Sequence, residues 1–312
     1  MPNGWIILDK PLGLGSTQAV GAVKRNLREA GFGKDDFGRK IRVGHGGTLD
    51  PLATGVLPIA LGEATKLCGQ MLDASKEYDF TIAFGAETDT LDLEGTVTER
   101  CAHLPTLAEL AAVLPRFTGP IEQVPPAYSA IRIDGARAYD RARAGETVEM
   151  PARAVTVHSI DIVAAGEGAL AELTLRAHVS KGTYIRSLAR DIARAAGTVG
   201  HVTMLRRLRA GPFDLDSGPL GAISLDNLNE LGKGAQLERI LLPLEAGLDD
   251  IPAIDLDPEQ ARAVHQGRVL TGMAFPDGLH WVRLGTRPLA LVELSGGSLI
   301  VKRGFNLPDV AE

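Results

Sequence analysis

Hydrophobic positions in this chain follow two periods, and the switches between them mark its elements. Tyr78, Phe80, Ile82 and Phe84 alternate with other side chains, which predicts a half-buried strand. Residues 4–9 and 55–61 are short apolar runs and predict buried strands. Residues 155–163 and 170–179 predict a strand pair around the turn Gly166-Glu167-Gly168. Elsewhere the helical period governs. Ser16 or Thr17 caps a helix through Val20, Val23 and Leu27 that stops at Gly31, and residues 63–72 are helical. Thr106-Leu107-Ala108-Glu109 is a capping box opening a helix that ends near Pro115. Thr183 caps the most amphipathic helix, with Ile185, Leu188, Ala189, Ile192, Ala193 and Ala196 on one stripe and Gly197 as its stop. Tyr184 and Arg186 fall in its first turn, off the stripe.

From about residue 251 the pattern changes to one short helix (258–265) followed by strands at 281–284, 289–294 and 298–302. The fold class is therefore α+β, with a mixed, mainly antiparallel sheet in a large domain (1–248) and a small, mostly β domain (249–312). No internal repeat or low-complexity tract interrupts this order.

Composition narrows the class. The 312 residues are 45% hydrophobic and 23% charged, as in soluble globular proteins. No apolar run reaches the length of a membrane span, and the first residues lack the regions of a signal peptide. Cys68 and Cys101 are isolated, so neither a disulfide framework nor a zinc knuckle is expected, and a reducing cytoplasm fits. The net charge of −6 argues against a nucleic-acid partner until its distribution is read. Residues 181–211 carry a net +6 and residues 24–42 a net +4. Such stretches are either solvated helix faces or a footprint for phosphate.

Candidate chemistry concentrates in Gly44-His45-Gly46-Gly47-Thr48-Leu49-Asp50-Pro51-Leu52-Ala53-Thr54-Gly55. Pro51 stiffens the chain beside Asp50, and the glycines permit close approach of a ligand. Two readings stand: Asp50 as N-cap of a single helical turn over residues 51–54, or Asp50 as a site carboxylate. His45 has no metal-ligand partner at suitable spacing. Tyr78 fits the core as well as a stacking platform. Arg186 opposes the dipole at its helix N-terminus, so it needs an anion. The Lys10–Ser16 stretch lacks the phosphate-loop spacing, and no serine sits in a nucleophile elbow.

Taken together, Gly4-Trp5-Ile6-Ile7-Leu8-Asp9-Lys10-Pro11, the run from Val43 to Pro58, Leu61-Gly62-Glu63-Ala64-Thr65-Lys66, Lys76-Glu77-Tyr78, the run from Gln123 to Ala130, the run from Ser180 to Arg186, and Leu205-Arg206-Arg207-Leu208 resemble the TruB family of tRNA pseudouridine synthases, of the bacterial stand-alone type. The segments stand in family order from about Gly4 to Asp214. A looser match, at Gln266-Gly267 and from Leu289 to Arg303, is to the family's PUA-type RNA-binding domain.

The resemblance implies a pseudouridine synthase fold and isomerisation of uridine to pseudouridine at position 55 of the tRNA T-loop, with a flipped-out base and no guide RNA, cofactor or metal. It implies that Asp50 is the catalytic aspartate, Tyr78 the aromatic against the target base, and Arg186 the partner of the catalytic carboxylate. Tyr184 and Leu205 match further active-site positions, and His45 the histidine that helps hold the rearranged loop. The implied partner is the tRNA T-stem-loop, bound by a monomer with no protein partner and no membrane. Two readings compete: a tRNA-binding or folding module without required catalysis, and a guide-dependent relative. The sequence departs from the family at Gly46, commonly Thr, at Gly15, commonly Ser, and in a longer connection over residues 29–40. That basic, glycine-containing insertion is expected near the RNA, and Gly46 is expected to loosen its loop.

Overall fold

The alternation of Tyr78, Phe80, Ile82 and Phe84 forms the inner face of a strand, Lys76–Phe84, in a computed structural model that describes residues 2–34, 38–129, 131–133, 135–233 and 236–307. The chain folds as two compact units. One takes the residues up to Leu49, Val56–Leu72 and those from Ala210 onward; the other takes Asp50–Gly55 and Asp73–Arg209.

In the second unit, a sheet runs from the start of the Ala53–Leu61 strand through Gly200–Ala210, Lys76–Phe84, Glu172–Val179 and Arg153–Ala165 to Gly119–Gln123. The first pair is parallel, with Leu205 opposite Ala53, and the last three neighbouring pairs are antiparallel. The inner sheet face packs against the helices Leu107–Val113 and Ile185–Ala195. The capping box stands as spaced, with the Thr106 side chain accepting from the Glu109 amide. Along the amphipathic helix Ile185, Leu188 and Ile192 are buried, each contributing roughly 1.5–3 kcal/mol. Its cap differs from the expectation. Tyr184 is the N-cap residue, and the Thr183 hydroxyl donates to the Ser180 carbonyl instead.

The outer face of the same sheet is polar. Thr81 and Thr174 share a hydroxyl bond of 2.9 Å, and Arg176 grips Asp79 through two bonds of 2.7 and 2.9 Å. The His158 and His178 rings meet at a tilt of 42°, with centroids 4.6 Å apart. Burial, then the His158 charge and that of Arg209, hold His178 below its usual 6.5, with Glu77 opposing them. The folded protein therefore binds fewer protons on this ring than the unfolded chain does. Its contribution to stability is complete above pH 6.5 and is lost as the pH falls through the folded value. His178→Gln is thus expected to flatten the fall in urea midpoint between about pH 7 and pH 5. An unchanged slope would assign that fall to other groups.

In the first unit, Gly4–Lys10 is buried along nearly its whole length, between Leu242–Pro243 and the later part of Ala53–Leu61. Helix Ser16–Glu29 buries Ala19, Val20, Val23 and Leu27, and Gly31 turns the chain after it at φ +84°. Gly15, not Ser16 or Thr17, is the cap residue, its amide donating to the Gln18 side chain. The small sheet joins Ala253–Asp255, Gly278–Leu284, Arg287–Ser295 and Ser298–Gly304, with helix Pro258–His265 beside it. It has its own core of Ile254, Val264, Val282, Val292 and Leu299. Its Trp281, Leu291 and Phe305 also join the cluster around Trp5, Leu244 and Leu248. Of the insertion over residues 29–40, residues 35–37 lie outside the described residues.

Candidate active site

Asp50 follows a firmly anchored residue. The Ser16 hydroxyl donates to the Leu49 carbonyl at 2.9 Å and accepts from the Leu49 amide at 2.8 Å. Asp50 then opens a turn, its carbonyl accepting from Ala53 N–H at 3.0 Å, and Pro51 supplies the fixed φ that the second turn position favours. No helical turn forms over residues 51–54, because Ala53 enters a strand opposite Leu205. The carboxylate is therefore free of a capping duty.

Two glycines of this loop, Gly46 and Gly55, serve packing. Gly55 has φ +99°, and a Cβ there would fall on the Arg207 carbonyl, so the strand pairing requires glycine. A Cβ at Gly46 would come within 2.8 Å of Met71 Cβ. The departure from threonine at Gly46 thus makes space for Met71.

Arg186 is delivered by the N-terminus of the Ile185–Ala195 helix. Gln123 clamps the entry, its amide donating to the Tyr184 carbonyl at 3.1 Å and accepting from the Tyr184 N–H at 2.8 Å. The apolar stripe fixes the helix rotation, which turns Arg186 away from the core of the sheet and toward two carboxylates. Its Nη2 lies 2.9 Å from Asp50 Oδ2, and its Nη1 lies 3.2 Å from Asp92 Oδ2. The same nitrogens donate to the Thr90 carbonyl at 2.9 Å and the Tyr128 carbonyl at 3.1 Å. A planar guanidinium can satisfy four acceptors at once; an ammonium cannot.

The members of this network differ in exposure. The side chains of Arg186 and Asp92 are 9% and 7% exposed, and that of Asp50 is 44% exposed. Asp92 is bound on its other oxygen by the Thr90 hydroxyl at 2.5 Å and the Glu94 amide at 3.0 Å. Asp50 is the member that a substrate could reach, held by Arg186 on one side and open to solvent on the other.

Around it stand Leu52, Ala53, Val202, Thr203 and Leu205, which with the three charged residues line a cavity of about 10 Å³. That is room for about one water. Tyr184 is half-buried next to the helix start. Burial raises its phenol above the usual 10 and the Asp50 charge adds to this, against opposing effects of Ser129, Arg153 and Arg186, so it stays protonated at neutral pH. Tyr78 packs against the inner core, as does Leu205. His45 belongs to the other unit, on the Val43–His45 strand opposite Ile59. Among the described residues, no group of three or more His, Cys, Asp or Glu is arranged to hold a metal ion.

The model of the TruB family pseudouridylate synthase N-terminal domain matches residues 34–185, and that of the tRNA pseudouridylate synthase B C-terminal domain matches residues 186–249. The tRNA pseudouridine synthase B of Novosphingobium aromaticivorans is 69% identical over 314 residues, covering 100% of each chain. That of Zymomonas mobilis is 52% identical over 304 residues, covering 97% of this chain and 96% of its own. The chain belongs to the TruB family of pseudouridylate synthases. Among solved structures, a Cbf5-Nop10-Gar1 complex matches with TM-score 0.71 at 26% identity, over 98% of this chain and 85% of that one. The archaeal box H/ACA sRNP Nop10-Cbf5 complex matches with TM-score 0.70 at 25% identity, over 98% and 86%.

Neither Asp92 nor Gln123 of this TruB family chain stands out in the sequence as a site residue. Arg186 called for an anion, and Asp50 was only half of the answer. The run Thr88-Asp89-Thr90-Leu91-Asp92-Leu93-Glu94-Gly95, rich in acids and ending in glycine, held the signal. A Cβ at Gly95 would strike Asp89 and Thr90, so the turn presenting Asp92 is too tight for any side chain there. The +6 of residues 181–211 is partly neutralised by carboxylates elsewhere in the chain. Arg186 pairs as above, Arg194 with Glu87 at 2.7 Å and Lys181 with Asp73 at 2.9 Å, all with carboxylates outside the segment, whereas the Arg190–Asp191 pair is already counted in the net charge. Of these three cations only Arg186 is buried; Arg194 and Lys181 pair at the surface.

Proposed function

We propose that this chain isomerises uridine to pseudouridine at position 55 of the tRNA T-loop, without guide RNA, with Asp50 as the catalytic carboxylate. One observation carries the reading: a half-exposed carboxylate is held by a buried guanidinium whose remaining bonds fix it in place. In the reaction the N1–C1′ bond breaks, the uracil turns, and a C5–C1′ bond forms, while the C5 proton is lost and N1 gains one. No electron acceptor or second substrate is needed. A carboxylate oriented by Arg186 supplies the nucleophile or base for this exchange.

The target base must leave its stack to reach Asp50. The cavity beside Asp50 is far smaller than a nucleobase, so the base stacks at its mouth or displaces its apolar lining. Tyr78, Tyr184 and Leu205 are the side chains assigned to that contact, and His45 to the reshaped T-loop. Residues 1–248 act as the catalytic domain and 249–312 as a PUA-like domain that holds RNA. Within the described residues no helix is long and apolar enough to cross a membrane, and the reading places the enzyme in the cytoplasm with its tRNA.

The test is incubation of the purified protein alone with an unmodified tRNA transcript, followed by mapping of pseudouridine in the product. One pseudouridine in the T-loop is expected. The solved Cbf5 structures are complexes with Nop10, or with Nop10 and Gar1, and the rival reading is that this chain also acts only with further components. No conversion by the isolated chain would reject the stand-alone reading, and conversion outside the T-loop would reject the assigned position.

A further inference from the structure

Among the described residues, Leu91 alone combines a side chain with a left-handed backbone, at φ +63°. In that region Cβ crowds the following carbonyl, and leucine has no polar group to offset the crowding. Glycine would take the same φ at no steric cost. A disfavoured conformation of this kind persists only where its surroundings impose it. Here they do so from both sides. The Leu91 amide donates to the Thr88 carbonyl at 3.1 Å, and its carbonyl accepts from the Val202 amide at 3.0 Å. Its side chain is 5% exposed. The next residue is Asp92, which bridges to Val202 and meets Arg186 at 3.2 Å.

We propose that Leu91 is a positioning residue: its left-handed backbone aims the Asp92 carboxylate at Arg186, and so sets the guanidinium that orients Asp50. At a negative φ the peptide between residues 91 and 92 would swing. Asp92 would then lose the geometry that places one oxygen on Arg186 and the other on the Glu94 amide and Thr90 hydroxyl. The buried leucine side chain keeps the turn from relaxing, which glycine would not do. This inference rests on the reading of Asp50 as catalytic.

The experiment measures single-turnover pseudouridine formation at saturating tRNA, together with tRNA affinity. Leu91→Val, β-branched and hostile to left-handed backbone, is expected to slow the step about tenfold or more with affinity changed less than about twofold. Leu91→Met keeps shape, and Leu91→Asn adopts the left-handed backbone more readily than leucine while making the side chain polar; both are expected to recover the rate, scaled to the folded fraction. In an Asp92→Asn background Leu91→Val is expected to add no further loss. A full-rate Leu91→Val, a Leu91→Asn as slow as Leu91→Val, or additive losses with Asp92→Asn would each overturn the proposal. Should Leu91→Val not fold, the Leu91→Asn rate decides by itself. An inactive parent protein would instead sink the reading of Asp50.

Discussion

Asp50→Asn is expected to lower pseudouridine formation by about 10⁴-fold or more, with tRNA affinity held within about threefold. Asparagine keeps the shape of the side chain and one oxygen for Arg186. It removes the anionic oxygen that would attack or take a proton. Affinity should survive because backbone phosphates are held by cations, and deleting an acidic group near the RNA lessens repulsion. The 44% exposure of the Asp50 side chain implies little stability cost, so the thermal midpoint should scarcely move. The measurements are product formation on a tRNA transcript, filter binding and thermal unfolding. A tRNA-binding module without required chemistry predicts no activity to lose. An active Asp50→Asn variant would remove Asp50 from the chemistry, and lost binding would make it an RNA-contact residue.

Arg186→Ala is expected to do two kinds of damage. It removes the group that orients Asp50, so activity falls to background. It also strands the buried Asp92 carboxylate, and removing one partner of a buried pair costs about 3–5 kcal/mol. The two effects can be separated. Arg186→Met combined with Asp92→Asn removes both buried charges, and stability is expected to recover by most of that amount, because no uncompensated charge remains. Activity should not recover. Arg186→Lys keeps a charge but cannot reach four acceptors, and is expected to fall between wild type and alanine in stability while staying nearly inactive. Urea unfolding and product formation read the two effects. A double variant no more stable than Arg186→Ala would show that the arginine holds the helix start by packing rather than by charge.

Both expectations turn on features of very different legibility. The strand Lys76–Phe84, the Thr106 capping box and the helix Ile185–Ala195 could be read from sequence because their causes are local. A two-residue alternation, an i to i+3 hydrogen bond and a 3.6-residue stripe each lie within a few neighbours. Helix starts are less legible. Ser16 and Thr183 have good capping chemistry, yet the Ser16 hydroxyl bonds Leu49 and Tyr184 is clamped by Gln123. A long-range partner takes the Ser16 hydroxyl, and the Ser180 carbonyl, three residues back, takes that of Thr183. The sequence suggests flexibility at Gly46, but Met71 occupies the space a side chain would need there, as the Arg207 carbonyl does at Gly55.

The sequence by itself determined the alternation of strands and helices, the small β segment at its end, and an arginine at a helix N-terminus in want of an anion. Its ordered motifs also carried the family. Tertiary structure alone decided which anions Arg186 meets. Asp50 and Asp92 reach it from separate turns, and the Asp92 turn depends on a left-handed leucine that no local propensity favours. The physical reason is one of range. Periodicity and capping are encoded over a few residues, whereas a buried charge network is set by the sheet register and helix packing that bring distant segments together.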